Sequence, residues 1–115
     1  MLMSGRLLRR YYALVANNGS SNVTPLDLSN PLAPVASAAV AVGAHPVGVA
    51  ISPNGLFALV ANNASSNVTP LDLSNPLAPV ASAPVAVGTN PYGISVSPNG
   101  LFALVANYTD RKSVV

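Results

Sequence analysis

The sequence predicts an all-β chain made of antiparallel four-stranded units, and three observations carry that expectation. A unit of 45 residues occurs twice, Tyr12 to Leu56 and Phe57 to Leu101, aligned without a gap and differing at nine positions. Phe102 to Asn107 (FALVAN) then reopens the unit with the same letters as Phe57 to Asn62. A fixed period of this length marks solenoids, propellers or arrays. Within each unit, apolar side chains alternate with a period of two between turns rich in Asn, Gly and Pro, and no stretch has helical spacing. The chain therefore divides into a basic non-repeat tail (1–11), unit 1 (12–56), unit 2 (57–101), the start of unit 3 (102–109) and a C-terminal tail (110–115).

The strands follow from the punctuation of the second unit. Tyr92 to Ser97 (YGISVS) alternates Ile94 with Val96 and ends at Ser97-Pro98-Asn99-Gly100. Pro followed by Asn-Gly offers a fixed φ and then a positive φ, which a tight hairpin turn needs. Leu101 to Asn107 follows, with Phe102, Leu104 and Ala106 on one face and Ala103 and Val105 on the other; Phe57 to Asn62 shows the same alternation. Asn62 to Asn67 is a polar turn. Val68 to Leu73 (VTPLDL) reads as the third strand, stopped by Ser74-Asn75-Pro76, and Pro79 to Val87 (PVASAPVAV) as the fourth. Gly88-Thr89-Asn90-Pro91 then turns the chain into the next unit. Four short hairpin-linked strands per repeat is the pattern of a propeller blade. A β-solenoid is the runner-up, although its repeats are usually shorter and would not carry four turn signals. Pro-rich disorder is a third reading, opposed by an apolar content of 50% and few charges.

Charge bounds the partners. All five cations, Arg6, Arg9, Arg10, Arg111 and Lys112, lie outside the repeats, and Glu is absent. Between Tyr11 and Thr109 the formal charges are Asp27 and Asp72, with His45 the chain's single histidine. A phosphate-binding face needs basic residues spread along it, so nucleic acid is not an expected partner. With no cysteine, disulfides, thiolate metal sites and cysteine nucleophiles are excluded. Met1 to Arg10 (MLMSGRLLRR) is basic but lacks an apolar run of signal-peptide length, so no signal peptide is expected. Ala33 to Ile51 nominally reaches membrane-spanning length without a formal charge. Pro34, Gly43, His45, Pro46 and Gly48 interrupt it, so a strand-and-turn reading with no membrane span fits better.

Phe57-Ala58-Leu59-Val60-Ala61-Asn62, Ser66-Asn67-Val68, Leu71-Asp72, Val85-Ala86-Val87-Gly88, Asn90-Pro91-Tyr92-Gly93 and Ser97-Pro98-Asn99-Gly100 resemble, in this order, the motifs of the YVTN-type β-propeller repeat. Asp72 to Val80 also resembles the LVIVD-type propeller repeat. The resemblance covers residues 12 to 109 and implies a propeller fold. Similar blades occur in surface-layer and cell-surface proteins, in lactonase-like enzymes and beside redox cofactors; the resemblance implies an extracellular or cell-surface location, while the residues themselves fix no compartment. Pro25 and Pro70 stand where the family has a strand valine. Because proline cannot donate to the ladder, that strand is expected to be bulged or at an edge. Leu56 and Leu101 occupy a turn-flanking position that is usually polar or charged. Asn54 and Asn99 replace the usual turn aspartate, a change suited to a residue that tolerates positive φ.

Nine expected strands make a little over two blades, an incomplete propeller, since closed ones use four to eight. An apolar face of four short strands covers roughly 300 Å². Leaving it wet forfeits up to about 7 kcal/mol, against a whole-domain stability of about 5–15 kcal/mol. The chain is therefore expected either to be a fragment of a longer propeller protein or to self-associate, its partners being the remaining blades or copies of itself. Charge-free strands such as Phe57 to Asn62 also have the composition of aggregation-prone segments.

Candidate chemical groups are few. His45, in Gly43-Ala44-His45-Pro46, could ligate a metal or act as a base, but Asn90 holds the same place in unit 2, which marks it as a turn residue. Asp27 and Asp72 could join a carboxylate ring for Ca²⁺. Ser29-Asn30-Pro31 and Ser74-Asn75-Pro76 follow them, and Asx capping of those turns is the simpler role. Sequons at Asn18, Asn22, Asn63, Asn67 and Asn107 would be glycosylation acceptors in a secreted eukaryotic protein; Asn-rich turns also generate the pattern by chance, and without a signal peptide that is the simpler reading. The units differ mostly around the inter-unit loop, at 44, 45, 47, 49, 50 and 51 against 89, 90, 92, 94, 95 and 96. Variation focused there points to a segment that either faces a partner or adapts packing between blades. The family resemblance implies a place near the propeller rim, so His45, Val47, Thr89, Asn90 and Tyr92 are the expected rim or interaction residues. The expected function is a protein- or glycan-interaction scaffold with no catalysis in this stretch and no cofactor or metal. The alternative is part of a lactonase-like enzyme whose catalytic residues lie in other blades.

Overall fold

The computed structural model describes residues 11–108 and the strand at 113–114. The N-terminal tail up to Arg10 and the rest of the C-terminal tail, with all five cations, lie outside these residues. Twelve strands and no helix are described, arranged in three antiparallel sheets. The first holds β1 (Tyr12–Asn17), β2 (Asn22–Asp27), β3 (Val35–Ala36) and β4 (Val40–Ala41). The second holds β5 (Pro46–Ile51), β6 (Phe57–Asn62), β7 (Asn67–Asp72), β8 (Val80–Ala81) and β9 (Val85–Ala86). The third holds β10 (Pro91–Val96), β11 (Ala103–Asn107) and β12 (Ser113–Val114). The second sheet is a full meander. The first has no described counterpart of β5, and in the third β12 lies beside β11, where a counterpart of β7 would run.

The fourth strand is not continuous as expected. In unit 2 it breaks into β8, paired with Leu71 and Asp72, and β9, paired with Asn67 and Val68. Proline explains the break. Pro70 accepts a hydrogen bond from the Ser82 backbone N–H at 2.9 Å, so its own absent N–H faces the same outer strand. Opposite that missing donor the ladder stops, and Pro25 with Ser37 repeats the arrangement. The proline-bearing strand is itself neither bulged nor an edge: β7 runs in unbroken register with β6, from Phe57↔Asp72 to Asn62↔Asn67, and carries β8 and β9 on its other side. The Pro-Asn-Gly hairpins also differ in detail. Gly55 and Gly100 take the positive φ, 74° and 73°. Asn54 contributes its Oδ1, which accepts from the Leu56 N–H at 2.9 Å and the Ser52 hydroxyl at 2.7 Å.

Period-two alternation gives each sheet two apolar faces. Tyr12, Leu14, Val23 and Val40 of the first sheet pack on Ala58, Val60, Leu71 and Leu73 of the second, and this is the main core. The opposite face of the second sheet, Phe57 and Leu59, looks toward Val96 and Ala103 of the third. Close approach at both joints depends on glycine. A Cβ on Gly43 would lie 2.7 Å from the Asn62 side chain, and one on Gly48 would lie 2.7 Å from the Tyr92 carbonyl oxygen. Asn62 is fully buried there, its Nδ2 donating to Asn67 Oδ1 at 2.9 Å and Thr69 Oγ1 at 2.8 Å. Asn17 makes the same pair of bonds to Asn22 and Thr24.

Candidate functional site

The loops between sheets build one end of the array. His45 (φ 53°) and Asn90 (φ 55°) both adopt the left-handed conformation that asparagine tolerates readily. Backbone bonds lock these loops onto the neighbouring hairpin: the Asn63 N–H donates to the His45 carbonyl at 2.9 Å, and the Tyr108 N–H to the Asn90 carbonyl at 2.8 Å. Immediately after each loop the register shifts, between Pro46 and Gly48 and between Pro91 and Gly93. Val47 and Tyr92 are thus the extra residues of two β-bulges, a device that re-aims a side chain.

The bulge throws the Tyr92 ring outward, where it is 60% exposed and meets the exposed ring of Tyr108 with centroids 6.3 Å apart and planes tilted by 44°. Asn63 donates from Nδ2 to the Pro91 carbonyl at 3.2 Å and, with Asn90, completes an open depression of about 430 Å³. The described side chains of this depression are two aromatic rings with hydroxyl tips and two amides, none with a formal charge. Thr89 is exposed in the same loop. The structure thus brings Asn90 and Tyr92 together with two residues that the sequence reading had not grouped with them, Asn63 and Tyr108. Their signal was available: Tyr108 stands where the earlier units have Asn18 and Asn63. His45 and Val47 belong to the preceding loop, where Val47 is half-buried and His45 Nδ1 lies 3.2 Å from Asn18 Oδ1.

The two aspartates sit at the other ends of their strands. Asp72 Oδ1 accepts from the Ser74 N–H at 2.8 Å and the Ser74 hydroxyl at 2.7 Å, and Asp27 makes the same bonds to Ser29 at 2.8 and 2.6 Å. These are Asx turns. Among the described residues no three His, Cys, Asp or Glu come together to hold a metal ion. A larger depression of about 540 Å³ lies at this end, lined by Tyr12, Asn54, Gly55 and the turn Leu73 to Pro76; desolvation pushes the Tyr12 phenol above its usual value. The Ser74 hydroxyl and N–H hold the Asp72 carboxyl below its usual value of 3.8, because both hydrogen-bond the charged form. The cap's contribution to stability is therefore complete above pH about 4 and lost as pH falls through the lowered folded value. Thermal midpoints should fall on acidification below pH about 4, and Asp72→Asn should flatten that part of the profile. An identical slope in wild type and variant would show that the cap carries no such linkage.

No family model matches the chain, and no curated protein matches it. Solved structures do. A provisional 6-phosphogluconolactonase from Bacteroides fragilis superposes with a TM-score of 0.82 at 17% identity, covering 90% of this chain and 31% of that one. The Kuenenia stuttgartiensis hydrazine synthase gives 0.75 at 29% identity, covering 84% and 26%. The dihydro-heme d1 dehydrogenase NirN gives 0.65 at 32% identity, covering 84% and 20%. This chain has the β-propeller fold. Its sheets are blades, numbered 1 to 3 in chain order, and they amount to a little over two complete ones. The chain spans a fifth to a third of the length of these three structures.

Proposed function

We propose that the chain is a YVTN-like propeller segment that acts as an interaction scaffold, docking a neutral protein or glycan partner at the rim formed by Asn63, Asn90, Tyr92 and Tyr108. The observation that carries this reading is the exposed tyrosine pair over two amides. Tyrosine supplies rigid amphipathic contact area at low entropic cost, and asparagine supplies adaptable hydrogen bonds. The pair is local to one junction, because Val47 and Asn63 stand in its place one unit earlier. Recognition of this kind uses stacking and neutral hydrogen bonds, so it should depend weakly on salt.

The lactonase-like alternative draws on the Bacteroides fragilis structure, but at 17% identity that likeness speaks for the fold. That alternative puts its catalytic residues in other blades; within this chain, the exposed Tyr92 and Tyr108 rings are what support the scaffold reading. Titrating the ¹⁵N-labelled chain with neutral oligosaccharides and with uncharged Tyr- and Ser-rich peptides tests it. Amides of Asn63, Asn90, Tyr92 and Tyr108 should shift first, and Tyr92→Ala with Tyr108→Ala should weaken binding at least tenfold. Shifts confined to the Asp72 end, or none with either probe, would sink the proposal.

A further inference from the structure

We propose that the two open faces of the array bind each other in a second copy of this chain, so that two copies close one ring of six sheets head to tail. The internal joints supply the pattern. At the first, Tyr12, Leu14 and Val23 of blade 1 cover Ala58, Val60 and Leu71 of blade 2. At the second, Phe57 and Leu59 of blade 2 look onto blade 3, where Ala103 and Val105 are buried. Each blade thus presents a front carrying an aromatic ring and a leucine, and a back carrying alanine, valine and, in blades 1 and 2, leucine. Fronts meet backs.

Among the described residues two faces have no neighbouring sheet: the front of blade 3, with Leu104 and with Phe102, which also borders the depression beside Phe57 and Leu59, and the back of blade 1, with Ala13, Val15 and Leu26. Their letters are those of the buried joints. Phe102 and Leu104 repeat Phe57 and Leu59, while Ala13, Val15 and Leu26 repeat Ala58, Val60 and Leu71. Exposure marks the difference, since Val60 and Val105 are fully buried whereas Val15 is 40% exposed and Leu104 45% exposed. None of these residues is charged, so no like-charge pair opposes the contact. What buries Val60 inside one chain is available to bury Val15 between two.

A front docked on a back is a heterologous contact, which gives a ring where the rotation closes and a filament where it does not. The described residues of each chain form three sheets, so two copies supply six, inside the range of about four to eight at which propellers close. Three copies would exceed it. Two-fold closure uses the joint twice. At about 16 Å² per strand residue, the strands of blades 1 and 3 give the four faces a total of about 900 Å², close to the roughly 1,000 Å² that a specific interface clears. The contact does not involve the Tyr92 and Tyr108 rings, so it stands or falls independently of the rim reading.

Size-exclusion chromatography with light scattering on the full chain tests the ring. The expected result is one species of twice 11.6 kDa. Leu104→Lys and Val15→Glu, both at exposed positions, should each halve that mass while leaving the far-ultraviolet circular dichroism unchanged. Mixing the two variants should restore the double mass, because one joint then pairs lysine with glutamate and the other is native. A wild-type monomer, a polydisperse aggregate, any other stoichiometry, or a mixture that stays monomeric would each overturn the proposal.

Discussion

Leu71→Ala should lower the free energy of unfolding by about 2–5 kcal/mol, the range for emptying a well-packed leucine site. The same change one unit earlier, Leu26→Ala, should cost a small fraction of that. The two leucines share sequence neighbours and strand register, yet Leu71 is 1% exposed under the front of blade 1 while Leu26 is only half-buried on the back of blade 1, where no described sheet packs. Their difference isolates what a neighbouring blade contributes. Chemical denaturation in the Leu104→Lys background checks it, because that background keeps the back of blade 1 open. Equal costs at the two positions would mean that stability resides within each blade and that the joints add little.

Gly48→Ala should cost about 1–3 kcal/mol, the usual range for overpacking, whereas Gly93→Ala should be close to neutral. The added Cβ at 48 would sit 2.7 Å from the Tyr92 carbonyl oxygen, while nothing lies within 4 Å of one at 93. Since the obstructing atom belongs to the backbone of a bulge, blade 3 must shift to accommodate it. The Tyr92 ring would move with its backbone, so the substitution should also disturb the contact with Tyr108, now 6.3 Å between centroids. Thermal melts report the first effect and the ring-proton chemical shifts of the two tyrosines the second. Both glycines start from the same motif, Pro-x-Gly after a left-handed loop residue, so a common outcome would show that crowding at the joint is not the cause.

The repeat made the architecture legible. Period, turn chemistry and alternation are local, and they located β6, β7 and the hairpins around Pro53 and Pro98 to within a residue or two. The fourth strand was misread as continuous because Pro79 to Val87 looks uninterrupted as a string; what breaks it is a missing N–H on Pro70, far away in sequence and adjacent only after pairing. The same nonlocal geometry explains why the strand carrying that proline tolerates it, since Pro70 opposes Leu59 in regular register and lacks its donor only on the outer side. At the rim, variation between units drew attention to Asn90 and Tyr92. Asn63 and Tyr108 escaped notice because their association depends on β10 lying beside β11 and on a register shift that periodicity does not reveal. The aspartates were simpler: their Ser partners are two residues away, and local chemistry set their geometry.

The interrupted outer strand has a consequence for how these molecules meet. A sheet rim that ran unbroken would offer a row of free donors and acceptors to any passing chain, and sequences this short of charge would be drawn to stack along it. Here the outermost pieces, β3, β4, β8 and β9, are two residues long, and the gap between β8 and β9 holds Pro84. No strand of useful length can be templated there. Growth by lateral strand addition is closed off at the outer rims of blades 1 and 2, where the charge-poor composition is left to act through packed faces, whose matching is chemically selective, rather than through backbone pairing, which is not.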